Sequence, residues 1–582
     1  YIDYFLVSFM DCENGNYKEF ELYKDKKLDK KSINSIMSKY ITVSFNGIAY
    51  DLLMIRASIN GWSNSKLKAL SDEIILSGKA HWQISRENEI NIPNKWDHID
   101  LINVAPGQAS LKIYGGRLHS KKLQDLPIEP NANIKPSQRD KLRLYCRNDL
   151  ITTHDLFKSL SKQIQLRRDM SDIYNVDLRS KSDAQIAEAV LKTELSKNGI
   201  RVKKNNVSVG TKFKYISPEF ISFKTDTLKQ VFDDVLNAEF IVKESGQVTL
   251  PKSLNKAIEF YDAKYKFGIG GLHSQEKNQV ITAKDDELLY EADFSSFYPF
   301  IILGEEFYPK HLGKGFLKTY GDIVHRRIAA KKSGDKVTAD SLKITINGSF
   351  GKLGSKYSFL YSPDLLIQTT ITGQLCLLML IEEVERLNAK VVSANTDGIV
   401  IHCKKSQYGK ISEALFNFEL LSGYTLEETY YKALYSRDVN NYVAVKLDGK
   451  TKGKGAFSEP NIMKNPTNEI CTLAVKKYLS GGEPLEQTII NCDSISKFLS
   501  VRSVTGGAIW DDEYLGKAVR FYYSKDGSTI SYKKNNNKVP KSDSSKPLMD
   551  LIDNLPNDLN LSWYVNESIS MLKDLGVDYV RV

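Results

Sequence analysis

Two aspartates in the middle of the chain, each at the end of a predicted β-strand, place the strongest limit on its fold. A predicted strand over residues 287–292 leads into Asp293. Strands over 390–394 and 399–403 flank Asn395-Thr396-Asp397-Gly398, which puts Asp397 at the tip of a hairpin. Carboxylates on a rigid sheet suit Mg²⁺, which takes few protein oxygens and completes its shell with water and phosphate. The pair therefore predicts a metal and phosphate site, although either aspartate alone is more often a turn former.

A basic helical pair lies between the two aspartates in the sequence. The apolar spacing predicts two helices, over residues 321–332 and 338–350, with a break at Ser333-Gly334-Asp335. Arg327 and Lys331 lie four residues apart on the first helix, and Lys343 and Asn347 are four apart on the second, so each pair shares a face. Three cations on one side could neutralise a triphosphate. The alternative is an ordinary solvated basic surface.

Length and composition limit the class of protein. A chain of 582 residues is too long for one hydrophobic core and predicts roughly three to five domains. Contents of 41% hydrophobic and 26% charged residues exclude a disordered or fibrous chain. The longest apolar stretches, such as 375–381, are shorter than the ~18 to 20 residues that span a bilayer, so no membrane association is predicted. Six cysteines without a Cys-x-x-Cys pair favour a reducing compartment and a cytoplasmic location.

The remaining patterns predict the partner class and the local structure. The chain has 81 Lys and Arg against 71 Asp and Glu, with 31 Tyr and 24 Phe, which favours nucleic acid, although many ordinary enzymes share this composition. The first 165 residues alternate strands and helices, which predicts an α/β domain. The predicted elements outside the central region are strands over 4–9, 17–22 and 41–45, and helices over 32–39, 183–196, 251–261 and 562–575.

Three segments, in this order, resemble the motifs of family B DNA polymerases of the bacteriophage kind. Residues 293–299, Asp-Phe-Ser-Ser-Phe-Tyr-Pro, resemble the first palm motif, Asp-x-x-Ser-Leu-Tyr-Pro. Residues 343–351 resemble the fingers motif, Lys-x-x-x-Asn-Ser-x-Tyr-Gly, and residues 395–398 resemble the second palm motif, Asp-Thr-Asp-Ser. The resemblance implies a multidomain α/β and α+β fold: a right-hand polymerase of palm, fingers and thumb, with an N-terminal RNase H-like 3′–5′ exonuclease domain.

The resemblance also implies domain boundaries and an activity. The implied domains are the exonuclease over 1–165, lacking its first strand, a connecting region over 166–285, the palm over 286–303 and 355–455, the fingers over 304–354, and the thumb over 456–582. The implied activity is template-directed DNA synthesis, in which dNTPs are added to a primer 3′-hydroxyl by two-metal phosphoryl transfer. The implied partners are primer–template DNA, dNTPs and replication accessory proteins. The chain would act as a monomer in the cytoplasm, the host's if a phage encodes it.

Roles for particular residues follow from the same resemblance. Asp293 and Asp397 would hold two Mg²⁺ ions, with Mn²⁺ as an alternative, and Lys343 would assist catalysis. Tyr298 would lie under the sugar and exclude a 2′-hydroxyl. The residues implied to bind the dNTP are Arg327, Lys331, Lys343, Asn347, Ser296, Phe297 and Tyr298. Those implied to contact primer or template are Tyr442, Lys452, Gly270 and Gly271.

Four positions depart from the family motifs. Asn395 stands where the second palm motif has its first aspartate, and Gly348 and Phe350 replace the serine and tyrosine of the fingers motif. Asn440 replaces the usual lysine of the segment that holds the primer. These departures leave two other interpretations open: a catalytically reduced nucleic-acid-binding protein with a polymerase fold, and a nuclease whose polymerase half is structural.

The N-terminal region has a pattern of its own. Residues 46–51, from Asn46 to Asp51, resemble the second motif of proofreading exonucleases, and Tyr145 with Asp149 resembles the third, although the last two could be a simple helical i,i+4 pair. Such nucleases use carboxylates to hold two metal ions, here Asp51 and Asp149. The first motif, Asp-x-Glu, is expected a few residues before Tyr1, with 11–13 as the alternative. Residues 1–582 are accordingly expected to polymerise without proofreading.

The predicted thumb carries several cations. In the family this region meets duplex DNA, so its cations are expected to face phosphates, although such runs are usually solvated surfaces. The cations concerned are Lys517, Arg520, Lys533, Lys534, Lys538 and Lys541.

Overall fold

The computed structural model describes residues 1–580. Its helices are α1 (Lys30–Lys39), α2 (Asp51–Ile59), α3 (Asn64–Leu76), α4 (His81–Glu87), α5 (Leu111–Arg117), α6 (Arg139–Ser159), α7 (Ser161–Tyr174), α8 (Asp183–Lys197), α9 (Asp226–Asn237), α10 (Phe297–Gly304), α11 (Gly315–Ser333), α12 (Lys336–Lys352), α13 (Pro363–Arg386), α14 (Lys405–Ser422), α15 (Glu469–Gly481), α16 (Leu485–Ile490) and α17 (Leu561–Asp574).

The strands fall into hairpins and larger sheets. They are β1 (Phe5–Met10), β2 (Tyr17–Leu22), β3 (Thr42–Ser44), β4 (His98–Asp100), β5 (Lys212–Lys214), β6 (Glu239–Ile241), β7 (Ala257–Phe260), β8 (Ala263–Lys266), β9 (His273–Ser274), β10 (Gln279–Thr282), β11 (Glu287–Phe294), β12 (Lys390–Asn395), β13 (Gly398–Lys404), β14 (Leu426–Asp438), β15 (Asn441–Lys446), β16 (Thr451–Lys454), β17 (Ser500–Trp510), β18 (Glu513–Ser528), β19 (Ser531–Tyr532) and β20 (Ser545–Pro547).

The chain divides into two compact units, each built from separate stretches of sequence. Unit 1 consists of Tyr1–Ser182, Pro460–Ile470 and Ile490–Tyr564. Unit 2 consists of Asp183–Glu459, Cys471–Ile489 and the described residues from Val565 onward. The range predicted as a thumb, 456–582, is therefore shared between the two units, and the palm and fingers boundaries stay predictions.

Unit 2 is organised around a large antiparallel sheet. The strand order is β16-β15-β14-β11-β13-β12-β9-β8-β7, with β10 also paired to β14. The apolar core on this sheet includes α13, whose residues from Leu375 to Leu378 and from Leu380 to Ile381 are fully buried. Among the described residues, α13 has the length and hydropathy to cross a membrane, yet 83% of its apolar window is buried inside the protein. Burial against the sheet explains its continuous apolar sequence.

The predicted basic helical pair is confirmed as α11 and α12. Gly334 ends α11 in the left-handed conformation at φ 78°, and the Asp335 side chain accepts a hydrogen bond from the Thr338 amide to begin α12. Helix α8 packs on α12 at Gly348, where a β-carbon would lie 2.6 Å from Cβ of Ala187. The glycine that departs from the fingers motif therefore permits close contact between two helices.

Unit 1 contains three small sheets. Strands β1 and β2 form an antiparallel hairpin, β3 and β4 pair in parallel, and a further sheet has the order β19-β17-β18-β20. The strands predicted over 4–9, 17–22 and 41–45 and the helix over 32–39 are confirmed, with shifts of a few residues at some ends. The helices predicted over 183–196 and 562–575 are likewise confirmed as α8 and α17.

Two predictions are wrong. Residues 251–261 do not form a helix, because Ile258 and Phe260 alternate with exposed neighbours and pair with β8 in a hairpin. Arg520 does not face solvent. It is 0% exposed in unit 1, where its guanidinium donates to the backbone carbonyls of Ser120 and Leu548, each at 2.8 Å. Charge alone does not distinguish a cation that binds DNA from one that satisfies buried carbonyl groups.

Candidate active site

Asp293 and Asp397 meet in unit 2 at the end of two paired strands. In the antiparallel pair of β11 and β13, Asp293 lies opposite Gly398, and Asp397 occupies the turn between β12 and β13. The amide of Phe294 donates to the carbonyl of Asp397 at 2.7 Å, which ties the turn to β11. A β-carbon on Gly398 would lie 2.6 Å from Oδ1 of Asp293. Glycine at 398 therefore lets the Asp293 carboxylate lie against the hairpin.

The two carboxylates line a cleft of about 230 Å³. Burial, the Asp397 carboxylate and the Glu291 carboxylate raise the pKa of Asp293 to about 7. Burial also raises the pKa of Asp397. Two acids that repel each other in a partly buried cleft favour either protonation or a bound cation, because each of these offsets the repulsion. The cleft is lined by Glu291, Asp293, Ser393, Asn395, Asp397, Gly398, Val400, Tyr431, Leu434, Tyr442, Ala444, Lys452, Gly453 and Lys454.

The donor atoms of the cleft fit Mg²⁺ bound together with phosphate. Within residues 1–580 there is no cluster of three or more His, Cys, Asp or Glu side chains placed to hold a metal ion. Mg²⁺ needs no such cluster, because it is commonly held by one or two carboxylates, water and substrate phosphates. Asp293 and Asp397 supply that pair of hard oxygen donors.

The cations of the cleft come from β16. The Lys452 ammonium lies 2.7 Å from Oε2 of Glu291, and the Tyr431 hydroxyl donates to the same oxygen at 2.5 Å. The Lys454 side chain is half-buried, and its ammonium makes no hydrogen bond or ion pair with any described residue. Burial lowers the pKa of Lys454. The cleft thus contains one lysine held by a carboxylate and one with no direct partner.

The predicted triphosphate-binding residues lie on α11 and α12. Arg327 donates to the Ser296 hydroxyl at 2.8 Å, which links α11 to the residue that precedes α10. Lys331, Lys343 and Asn347 are exposed, and neither lysine forms an ion pair in the described part of the chain. Charges with no internal partner remain available for an external anion.

The aromatic residues of the first motif form a stack. The Tyr298 ring packs on Phe350 with ring centres 4.6 Å apart and an interplanar angle of 20°. Its hydroxyl donates to the carbonyl of Gly270. Phe297 is 4% exposed and stacks on Phe294 at 3.9 Å, so its side chain belongs to the core. Any contact of Phe297 with a nucleotide would therefore involve its backbone.

The glycine-rich segment before β9 supports the hairpin tip. A β-carbon on Gly271 would lie 2.8 Å from the side chain of Thr396, and the Thr396 amide donates to the carbonyl of Leu272 at 2.9 Å. Thr396 has a φ of 59°, a strained conformation for a β-branched residue that these contacts maintain. Gly271 thus has a structural role next to Asp397, in addition to the predicted role of Gly270 and Gly271 toward the template.

Asn395, at the position where the resemblance implies an aspartate, lines the cleft. Its side-chain amide donates to the carbonyl of Val439 at 3.1 Å. Tyr442 lies opposite Lys454 in the pairing of β15 and β16 and lines the same cleft. The predicted primer contacts Tyr442 and Lys452 are therefore on the wall of the cleft that holds both aspartates.

A second acidic site lies in unit 1. Asp51 begins α2, and Tyr145 and Asp149 lie one turn apart on α6. Burial, followed by the charges of Asp100 and Asp149, raises the pKa of Asp51 to about 7. The residues that the two exonuclease-like motifs pointed to, Asp51, Tyr145 and Asp149, therefore interact electrostatically in the structure.

Sequence reasoning missed two residues of this site, Lys112 and Asp100. The Lys112 ammonium forms an ion pair with Asp149 and lies 4.4 Å from the centre of the Tyr145 ring. Its position at the start of α5, after the Ser110 N-cap, is an ordinary helix signal that does not point to a site. No sequence signal would have distinguished it from other surface lysines.

Asp100 organises the loop that carries the second exonuclease-like motif. It ends β4, which lies parallel to β3, and its carboxylate accepts hydrogen bonds from the amides of Asn46 at 2.8 Å and Ile48 at 3.0 Å. Asn46 has a φ of 66° and contributes its backbone to this contact. The available signal was an aspartate directly after the buried Ile99, at the end of β4.

Residues 11–13 form the turn between β1 and β2. The Asp11 carboxylate accepts from the Glu13 amide at 2.8 Å and from the Asn14 side chain at 2.9 Å, and all three residues are exposed. These are the contacts of an ordinary turn. Neither Asp11 nor Glu13 is among the groups that perturb the pKa of Asp51.

Comparison with known proteins gives one local sequence match. No protein-family model matches the chain. Over 142 residues the chain is 27% identical to DNA polymerase 1 of Sulfolobus acidocaldarius. This match covers 23% of this chain and 16% of that protein. The solved structure of the family B DNA polymerase from the hyperthermophilic archaeon Pyrobaculum calidifontis is similar with a TM-score of 0.40 and 12% identity, over 98% of this chain and 74% of that one. The chain therefore has weak, local similarity to an archaeal DNA polymerase, and the predicted bacteriophage kinship gains no support.

Proposed function

We propose that this protein is a template-directed DNA polymerase that adds dNTPs to a primer 3′-hydroxyl. The observation that carries the proposal is the meeting of Asp293 and Asp397 in one cleft, beside paired strands that come from distant parts of the sequence. Exposed, unpaired cations on α11 and α12 support it, because phosphoryl transfer depends mainly on positioning and charge neutralisation. The local similarity to an archaeal DNA polymerase agrees with it.

In this mechanism the primer 3′-oxygen attacks the α-phosphorus of a dNTP, a P–O bond forms, and pyrophosphate leaves. Mg²⁺ held by Asp293 and Asp397 would supply activation of the hydroxyl and neutralisation of the leaving phosphates. Arg327, Lys331 and Lys343 would neutralise the triphosphate, with Arg327 oriented by its hydrogen bond to Ser296. The Tyr298 ring, backed by Phe350, would lie under the sugar.

Primer extension tests this proposal against the two alternatives. With Mg²⁺, dNTPs and a primer–template, the parent protein should lengthen the primer in a template-dependent order. Template-bound protein with no extension would favour a reduced nucleic-acid-binding protein. Shortening of the primer without extension would favour a nuclease. Mg²⁺ as the cofactor, accessory proteins, a monomeric state and a cytoplasmic location belong to the same proposal.

We also infer that unit 1 contains part of a nuclease site that acts on single-stranded 3′ ends. The supporting observations are that the charge of Asp149 raises the pKa of Asp51, and that Tyr145 interacts with Asp149 one turn away on the same helix. A nuclease needs carboxylates for its metal ions and a polar group to orient water. Degradation of a mismatched primer, compared between the parent and Asp149→Ala, tests this inference.

A further inference from the structure

Glu291, Tyr431 and Lys452 form three mutual hydrogen bonds at the edge of the cleft. It lies two residues before Asp293 on β11, so both side chains are on the same face of the strand. Its Oε2 accepts from the Tyr431 hydroxyl at 2.5 Å and from the Lys452 ammonium at 2.7 Å. The ammonium lies 3.3 Å from the Tyr431 oxygen, which completes a triangle.

These contacts argue against a role for Glu291 as a metal ligand. The oxygen that Lys452 and Tyr431 share already accepts two hydrogen bonds, one of them from a cation. The Glu291 side chain is 19% exposed and the Lys452 side chain is 42% exposed, so the ion pair lies at the mouth of the cleft. A carboxylate oxygen that already holds the Lys452 ammonium orients that lysine and is a poor ligand for a metal ion.

The neighbouring lysine provides an internal comparison. Lys454 lies two residues after Lys452 on β16 and therefore on the same face, yet its ammonium makes no hydrogen bond or ion pair with any residue that the structure describes. A free lysine loses rotamer freedom when it binds an anion, whereas a lysine already held in place loses less. Glu291 and Tyr431 remove this cost for Lys452 only.

We propose that Glu291 is a positioning residue that, with Tyr431, holds the Lys452 ammonium where a phosphate of the primer strand enters the cleft. This inference rests on the proposed polymerase function. Glu291 has no direct contact with DNA or nucleotide and acts only through Lys452. The ammonium donates to Glu291 and to the Tyr431 oxygen, and its third hydrogen-bond donor is left for the phosphate.

A double-mutant cycle tests the inference. Lys452→Ala should raise the Michaelis constant for primer–template about tenfold, because a charge-assisted hydrogen bond to phosphate is lost, and leave that for dNTP unchanged. Glu291→Gln should raise the same constant about threefold, since the uncharged amide holds the lysine less firmly. Tyr431→Phe should have a smaller effect in the same direction. The Glu291→Gln/Lys452→Ala double variant should be no worse than Lys452→Ala.

Controls separate positioning from other roles. Lys432→Ala removes an exposed lysine next to Tyr431, on the opposite face of β14, and should leave all constants at parent values. The half-saturating Mg²⁺ concentration should be the same in Glu291→Gln and the parent. Melting temperatures of all variants should agree with the parent, which excludes misfolding.

Two results would overturn the inference. If the losses of the two single variants multiply in the double variant, Glu291 acts independently of Lys452. A changed Mg²⁺ requirement in Glu291→Gln would make Glu291 a metal ligand.

The same four proteins are also compared in their affinity for primed DNA, measured by fluorescence anisotropy without Mg²⁺. If the parent binds primed DNA but does not extend it, the polymerase proposal fails. The affinity cycle then still decides whether Glu291 acts through Lys452.

Discussion

The cleft of unit 2 and the acidic site of unit 1 each contain an aspartate whose pKa lies near 7, Asp293 and Asp51 respectively. They are built differently. In the cleft, Asp293 comes from a strand and Asp397 from a hairpin turn of one antiparallel sheet, and the ion-paired lysine of the cleft is held by Glu291. In unit 1, Asp51 and Asp149 come from two helices, and Lys112 already neutralises Asp149.

This difference predicts unequal demand for a divalent cation. The two cleft carboxylates form no ion pair with any described residue, so a bound cation would offset a repulsion that otherwise favours protonation of Asp293. In unit 1 a lysine performs part of that neutralisation within the protein. Asp293 is also fixed by the strand ladder, and Asp397 by a tight turn tied to β11, whereas the position of Asp51 depends on a loop organised by Asp100.

The largest expected effect is on the cleft itself. Asp397→Ala should lower nucleotide addition by roughly a thousandfold or more while primed-DNA affinity persists, because the residue would hold metal and not DNA. Asn395→Ala, two residues away, should lose far less, since the Asn395 amide bonds to a backbone carbonyl. Single-turnover extension measures both. Equal losses would contradict the assignment of Asp397.

The reciprocal change in unit 1 should separate the two sites. Asp149→Ala should remove any 3′–5′ degradation of a mismatched primer and keep primer extension within about twofold of the parent, because the two activities use different carboxylates. Both activities are measured on the same labelled primer. Slower extension in this variant would mean that the two sites are not independent.

Lys343 on α12 tests the proposed binding of the triphosphate. Lys343→Ala should raise the Michaelis constant for dNTP and slow the chemical step, about tenfold to a hundredfold in combined efficiency, since its charge meets phosphates that become more negative. Lys318→Ala is the matched control, because Lys318 is an exposed lysine half a turn around α11 from Arg327. A defect confined to primed-DNA affinity would mean that α12 binds the DNA duplex and not the dNTP.

Tyr298 tests nucleotide selection. Tyr298→Ala should increase ribonucleotide incorporation relative to deoxyribonucleotide incorporation about tenfold, because removal of the ring opens space next to the 2′-carbon. Tyr298→Phe keeps the stack on Phe350 and should retain discrimination. Competition between rATP and dATP opposite one template base measures the ratio. Unchanged rejection in the alanine variant would place the selecting residue elsewhere.

The smallest expected effect is on stability. A folded-state pKa of about 7, against an ordinary aspartate value of 3.8, means that folding takes up a proton at Asp293, so this contribution to the unfolding free energy falls as pH rises from about 4 to 7. Asp293→Asn should therefore stabilise the protein at pH 8 in EDTA by roughly 1 kcal/mol after allowance for solvent screening. Differential scanning fluorimetry measures the shift.

Two controls use the comparison between the sites. Mg²⁺ should raise the melting temperature of the parent more than that of Asp293→Asn, because only the parent presents both cleft carboxylates. Asp51→Asn should stabilise unit 1 at pH 8 for the same reason as Asp293→Asn in unit 2, but with less dependence on Mg²⁺, since Lys112 is present. Equal Mg²⁺ effects on the two variants would contradict the proposed difference.

Local features of this protein were predictable from the order of its residues. The strands around Asp293 and Asp397, the tight turn between β12 and β13, and the break between α11 and α12 depend on periodicity and turn chemistry within a few residues. The prediction of a helix over 251–261 was wrong because so short a segment, with few apolar residues and a turn, fits the apolar spacing of a helix and of a strand equally well. Tertiary pairing with β8 decided for the strand.

Long-range contacts could not be predicted in this way. Gly348 departs from a motif because α8 packs against it, and Arg520 is buried because carbonyl groups far away in sequence need donors. Glu291 meets Lys452 only after β11, β14, β15 and β16 are side by side. The residue types that could bind metal and phosphate were identifiable from the sequence alone. Which carboxylate binds a lysine and which stays free depends on distances that exist only in the folded chain, because Coulomb energies and hydrogen bonds act over a few ångströms of space and not along the sequence.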